Sequence, residues 1–583
     1  MKSMPGGEII ARMLQKEGVK HVFGIIDGTY FGLYSTLQKY GIELISPRHE
    51  ACAVHMAGAY ARLTGRLGVC IASNGPGVAN ALSGVAVENA EANRVLLITS
   101  TRRVGIGYPD RGGTYQYFNQ VGAMKALCKW SGAALFPARI PELLRRAFRK
   151  SYQGRPGVVH VDIPEDLINN KMESPPVWEP SQYRNLHPLT PPDDLVEQAA
   201  DWLAASKLPM LHAGSGIVHS GGFEALREIA ELLQAPVLTS WGARGALPEN
   251  HPLAFPMVHI KLCHQIRNTA DTVLTLGSRL GETDWWGKPP YWAPPDAQKM
   301  IQVDIDEEIV GMNKPADLII LSDIRKFLER LLEALRSRES VGDVQARKTI
   351  LAKWTKAKHD ERQKWLEKLE DRSTPMLPAH VPVVCRDVFD DNAICVIDGG
   401  NTAVWTHFYH EARHPNSVLQ TAKFGMLGAG VPQALGAKVA APDRQVYCII
   451  GDGAMAFHLQ EIETAVRHRL PAIYLVMCDK QWGMVKMSQQ MALKPVKALV
   501  KKSLTPDEFI NTDFQEIEFH RVAEAMGAHG ERIGDPAELR PALERALTAN
   551  RCAVIHVDVD PVKHMWAPGL MHFKEMHQEP KGR

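Results

Sequence analysis

Along the chain, short apolar runs alternate with stretches whose apolar residues recur at helical spacing. "HVFGII", "GVCIAS", "RVLLITS" and "GVVHVDIP" are such runs in the first third. "PMLHAGSGI", "PVLTSWG", "TVLTLGS" and "KMIQVDID" repeat the style in the middle, and "AICVIDGG", "QVYCIIGDG", "PAIYLVMCD" and "AVIHVDVDP" repeat it again near the end. Unbroken apolar runs read as strands buried on both faces, and the helical stretches between them as crossovers. The pattern therefore predicts an α/β protein of mainly parallel sheets flanked by helices. Two breaks divide it: the proline-rich "ESPPVWEPSQYRNLHPLTPPDD", and a charged helical stretch from Arg347 to Arg372 that ends at "STPMLP". Three domains follow, at residues 1–185, 190–345 and 375–561, with a tail at 562–583.

Composition narrows the class. A chain of 583 residues exceeds what one core supports. Its net charge of +2 gives no field for nucleic acid or an anionic membrane surface, so neither is expected as a partner. No apolar run reaches the roughly 18 residues of a membrane span, and the N-terminal "MKSMPGGEIIARMLQKEG" lacks the apolar core of a secretion signal. The nine cysteines are scattered, without C-x-x-C, and several lie inside apolar runs, which predicts reduced thiols and a cytoplasmic location.

The richest stretch is "IIGDGAMAFHLQEIETAVRHRLPAIYLVMCDKQWG", Ile449 to Gly483. Gly451 and Gly453 let the chain turn as it leaves a strand and let backbone N–H groups, with Ala454 beside them, approach a ligand. Asp452 then stands at the carboxyl edge of its strand, where open α/β sheets bind ligands. Asp479 follows 27 residues later, one helix and one strand on, which returns the chain to the same edge. Two hard oxygen ligands beside phosphate-binding amides suit magnesium and a diphosphate. Taken alone, Gly-Asp-Gly is a short motif, and a pair of ordinary loop aspartates is the plainer reading.

The remaining motifs bear on that choice. Gly-Asp-Gly with an oxygen ligand at the next strand end resembles the signature of thiamine diphosphate enzymes. The first domain, with R-H-E, M-A-G-A-Y-A-R and G-P-G-x-x-N, looks like the pyrimidine-binding domain of the acetolactate synthase and benzaldehyde lyase branch. "HAGSG", "GSRLG" and "VDIDEEIVGMN" resemble the central domain of that superfamily. The resemblance runs from about residue 5 to 561, with its motifs in order.

It implies roles. Glu50, in "PRHEAC", is the carboxyl beside the cofactor's pyrimidine, which helps draw the proton from the thiazolium carbon. Leu427 is the bulky residue beneath the cofactor, Gly425 offers a carbonyl to its amino group, and Met426 lines the same region. Asn401 and Thr402, in "DGGNTAVW", reach the diphosphate. Asp452, Asp479 and the main-chain oxygen of Gln481 hold Mg2+. Gln116, in "TYQYFNQV", stands on the substrate side. Cofactor ends held by different subunits imply a homodimer or homotetramer with active sites at the interface.

Several positions depart from the family. The second metal ligand is normally Asn, and here it is Asp479. Glu165 replaces a lysine of acetolactate synthases, Ser488 replaces a tryptophan, and the histidine pair of simple pyruvate decarboxylases is missing after Glu50. The expected activity is a carboligase or lyase acting on a 2-keto acid or 2-hydroxy carbonyl compound. 2-Hydroxyacyl-CoA lyase, 2-keto acid decarboxylase and a non-catalytic cofactor-binding subunit are the alternatives. Acetolactate synthases hold FAD in the central domain and acyl-CoA relatives hold ADP, so the resemblance leaves FAD or ADP open there. The tail carries Met565, Trp566, Leu570, Met571, Phe573 and Met576, too much apolar surface for water. It is expected to fold over the cofactor cleft as a lid or to pack on a neighbouring subunit.

Overall fold

The computed structural model describes residues 3–108, 110–501, 505–570 and 572. Each of the three domains is built on a six-stranded parallel sheet. The first sheet runs in the order Glu43–Ile45, His21–Gly24, Gly68–Ala72, Val95–Thr101, Val158–Pro164 and Trp130–Ala133. The second runs Ala254–Pro256, Val237–Thr239, Pro209–Ala213, Thr272–Leu276, Lys299–Asp304 and Leu318–Leu321. The third runs Val418–Leu419, Ile394–Asp398, Val446–Gly451, Ala472–Cys478, Ala553–Asp558 and His529–Ile533. Val95–Thr101, Val158–Pro164 and Ala472–Cys478 are buried at every position, because helices cover both faces.

The two breaks are not free linkers. Ser3–Pro5 pairs antiparallel with Lys171–Glu173, and beyond it Arg184 forms an ion pair with Glu17 at 2.8 Å, which holds the proline-rich segment on the first domain. The charged stretch forms the helix Val344–Leu366. Leu351 and Trp354 enter the core of the central domain. The buried guanidinium of Arg347 donates to the carbonyls of Ser206, Val341 and Leu233 at 2.6, 2.7 and 2.8 Å. The charge of this helix is therefore compatible with docking, since its apolar positions and one capped arginine face inward.

The first and third domains share one core. Phe23, Cys52, Val54 and Met56 of the first lie in the same apolar cluster as Val431, Leu435, Cys448 and Tyr474 of the third. The seam is the pair of helices Glu50–Thr64 and Gly430–Ala440, which cross so closely that a Cβ at Gly436 would overlap the carbonyl oxygen of Met56. Just before that helix, the N–H of Arg48 donates to the Glu461 carboxylate, so the third domain also holds the chain as it enters Glu50. Gly436→Val should separate the seam at a cost of about 1–3 kcal/mol or more, seen as a lower unfolding midpoint in urea. A midpoint within error of the unmutated protein would show that the two helices do not depend on this contact.

Candidate active site

Three strands of the third sheet end side by side in acidic residues. Ile394–Asp398 ends at Asp398, Val446–Gly451 runs into Asp452, and Ala472–Cys478 runs into Asp479. The register sets Gly451 opposite Met477, so Asp452 and Asp479 emerge as neighbours. Asp398 turns inward: its Oδ2 accepts from the N–H of Gly430 at 2.7 Å, and burial pushes its carboxyl up to about 6. Asp452 accepts from the N–H groups of Gly453 and Lys480, both at 2.7 Å. Burial, and then the nearby charge of Asp479, push Asp452 up to about 7. Two buried carboxylates side by side repel, and a divalent cation bound there would relieve both effects.

Asn401, Thr402, Gly425, Met426, Leu427, Gly451, Asp452, Gly453, Ala454, Asp479 and Gln481 line one cavity of about 450 Å³. All the third-domain residues expected from the sequence are thus brought together. Beside them the side chain of Asn401 is buried with neither its Oδ1 nor its Nδ2 partnered. A buried carboxamide without partners is costly unless a ligand supplies them. Gly399 makes the turn into the helix Asn401–Tyr409 at φ 102°, a conformation that favours glycine.

Glu50 and Gln116 line no part of this cavity within the chain, and none of its lining residues comes from the first domain. Glu50 opens its helix, capped by the ring of His49, which accepts from the N–H of Ala51. Its Oε2 accepts from Asn80 at 3.0 Å. Gln116 sits in an exposed loop at φ 53°, with its carbonyl held by Asn74 at 2.9 Å. Below that loop, Gln120 accepts from the N–H of Gly75 and donates to Asp162, which also accepts from Thr99. Phe31 and Tyr115 of the first domain are 58% and 75% exposed, and Phe424 and Phe457 of the third are 49% and 48% exposed. These are large apolar surfaces beside the predicted site residues of both domains.

A second cavity, of about 510 Å³, is lined by the first and central domains with Ala422 and Lys423 of the third. Arg155, Arg279 and Lys423 reach it with the glycine turns at Gly216 and Gly277, and Asp304 stands at a strand end inside it. Burial, with Arg279 and Arg155 nearby, holds Lys423 down to about 8, and burial raises Asp304 to about 6.

Comparison with known proteins fits this geometry. Residues 4–123 match the thiamine pyrophosphate enzyme N-terminal TPP binding domain, residues 196–331 the central domain, and residues 398–557 the C-terminal TPP binding domain. The chain is 30% identical to the acetolactate synthase isozyme 3 large subunit of Escherichia coli, over 97% of this chain and 96% of that one. It is 29% identical to a probable acetolactate synthase large subunit of Methanocaldococcus jannaschii, over 96% and 93%. The chain belongs to the thiamine pyrophosphate enzyme family.

The residues of the cavity fit that family's cofactor. Asp452 and Asp479 supply the oxygen ligands a magnesium ion takes, Asn401 supplies unspent polar atoms, and the Gly451–Ala454 turn supplies backbone donors. Several lining residues were not foreseen. Trp241 and Thr283 come from the central domain, and Met484 and Val485 from the helix Gly483–Leu493. His564 belongs to the tail, which sequence reading singled out for its apolar residues from Met565 to Met576 instead. The available signal was its place in "DPVKHMW", directly after a strand predicted to end at this edge. Trp566 does not line the cavity, and Met571, Phe573 and Met576 lie outside the described residues.

Asp162 offers a test of the support beneath Gln116. Burial raises it to about 7 against the hydrogen bonds from Thr99 and Gln120. The folded protein then holds a proton that the unfolded chain releases near pH 4, so stability falls as pH rises from about 4 to about 7. Asp162→Asn should remove that dependence, gaining thermal stability relative to the parent at pH 8 and not at pH 4. An equal effect at both pH values would show that Asp162 is not protonated in the fold.

Proposed function

We propose that this thiamine diphosphate-dependent, acetolactate synthase-like carboligase takes a 2-keto acid as donor and works as a homodimer or homotetramer with its sites between subunits. The observation that supports it is the cavity at the third sheet's edge, which gathers the expected metal and diphosphate residues and lacks the expected first-domain carboxyl. A second copy of the chain would bring Glu50 and Gln116 to it and cover the exposed aromatic side chains near both.

When bound, thiamine diphosphate supplies a thiazolium carbon that adds to a carbonyl and accommodates the electrons released when a carbon–carbon bond breaks. The chain's residues do the rest. Asp452, Asp479 and the carbonyl of Gln481 hold Mg2+. Asn401 and the amide of Ala454 would take the diphosphate oxygens, with Thr402 and Gly453 lining the same wall. Leu427, flanked by Gly425 and Met426, shapes the floor. Glu50 would face the pyrimidine and relay a proton there, and Gln116 would orient the acceptor by its carboxamide.

The second cavity suits a nucleotide, FAD or ADP: Arg155, Arg279 and Lys423 offer charge to phosphates, and Asp304 offers an acceptor to a ribose hydroxyl. A CoA substrate is less well served. In "KPVKALVKK" both Lys494 and Lys497 are already bound to Glu508 at 2.6 Å. All nine cysteines are free, which supports a reducing, cytoplasmic setting. Among the described residues no helix is long and apolar enough to cross a membrane.

Products from thiamine diphosphate, Mg2+ and a panel of 2-keto acids and hydroxyacyl-CoAs, weighed by mass spectrometry, test the substrate class. Glu50→Gln should keep cofactor binding while kcat falls by about 10²–10⁴-fold. Asp452→Ala should lose Mg2+-dependent cofactor binding. If sites form between chains, mixing these two inactive variants regenerates one intact site in each mixed dimer, and about a quarter of the parental activity returns under random pairing. No recovery after verified subunit exchange would place Glu50 and Asp452 of one chain in one site.

A further inference from the structure

The final strand, Ala553–Asp558, ends at the same edge as Asp452 and Asp479. Asp560 then caps a short helix, Pro561–Met565, by accepting from the N–H groups of Val562 and Lys563 at 2.9 Å. This turn drops His564, 3% exposed, into the wall of the cofactor cavity. Its Nδ1 lies 2.7 Å from Oδ2 of Asp479, its Nε2 lies 3.2 Å from Oγ1 of Thr402, and its carbonyl accepts from the indole of Trp405 at 2.9 Å. A carboxylate only accepts, so Nδ1 carries the proton and Nε2 accepts from the Thr402 hydroxyl. Gln481 adds a second donor to the same Oδ2 at 3.1 Å and anchors on the carbonyl of Pro561 at 2.8 Å.

Among the described residues, Asp479 is thereby held through one oxygen. Both donors converge on Oδ2, and Oδ1 is left for the cavity. An aspartate needs a donor supplied at Oδ2, and the C-terminal segment supplies it. We propose that His564 is the positioning residue that orients Asp479 toward the divalent cation, making the C-terminal segment part of the metal–diphosphate site. This rests on the thiamine diphosphate reading above.

The test compares His564→Asn, which keeps a donor near Oδ2, with His564→Leu, which fills space and donates nothing. Mn2+ is titrated into each protein with thiamine diphosphate present, and free Mn2+ is read by its electron paramagnetic resonance signal. Loss of a hydrogen-bonded partner behind a metal ligand costs about 10–100-fold in affinity. The leucine variant should weaken Mn2+ binding by that factor, the asparagine variant by a few-fold at most. In an Asp479→Asn background the leucine substitution should cost much less, since the carboxamide no longer needs the donor. Unchanged binding in His564→Leu, or equal loss in both His564 variants, overturns the proposal. The unmutated protein is also titrated without thiamine diphosphate; Mn2+ binding that does not depend on it overturns the cofactor reading as well, and this control identifies that case by itself.

Discussion

A parallel sheet can be continued only by carrying the chain back across one of its faces, so every strand of a domain releases its last residue at the same edge. The rest of this molecule depends on that constraint. It delivers Asp398, Asp452 and Asp479 to one place from distant stretches of sequence, and delivers the C-terminal segment to the same place at the end of Ala553–Asp558. The central domain uses the same edge differently: Gly216, Gly277 and Asp304 face a second cavity from the ends of three strands or the turns after them. Crossovers also bury both faces of each sheet, which is why the interior strands are apolar without interruption.

That burial explains what could be read in advance. In each sheet the four interior strands were visible as apolar runs. The strands overlooked were the edges: Glu43–Ile45 and Trp130–Ala133, Ala254–Pro256 and Leu318–Leu321, Val418–Leu419 and His529–Ile533. An edge strand needs fewer apolar side chains, and several here are short or half exposed, as in His529–Ile533. The third-domain site was legible because glycine and aspartate at a strand end are local signals. His564 was not, because its partners Asp479 and Thr402 come together with it only through the fold. Trp241 and Thr283 reach the cavity by docking of the central domain, for which no local pattern exists.

The site is also an electrostatic problem before it is a catalytic one. Asp398, Asp452 and Asp479 are buried within one sheet edge, and each is handled differently. Asp398 is given to backbone N–H groups and becomes part of the scaffold. Asp452 keeps N–H donors, but burial and then the charge of Asp479 push it up, and a cation would relieve both. Asp479 is steadied by a side chain from the far end of the chain. The ordering by partner separates an acid spent on the scaffold from two that face the cavity, although all three emerge from adjacent strands.

The core shared by the first and third domains reaches beyond the site. Met56 and Gly436 touch across a gap that holds the entire central domain, so this surface cannot close while the chain is still being synthesised up to that point. The first domain must leave the ribosome with the apolar flank of its Glu50–Thr64 helix uncovered, and keep it so until the last third arrives. Its completion is therefore a long-range event with a large loop-closure cost, of the kind that slows folding and lengthens exposure to aggregation. The same seam that places Glu50 makes the two outer domains a single inheritance: neither can be exchanged for a foreign counterpart unless the facing helix travels with it.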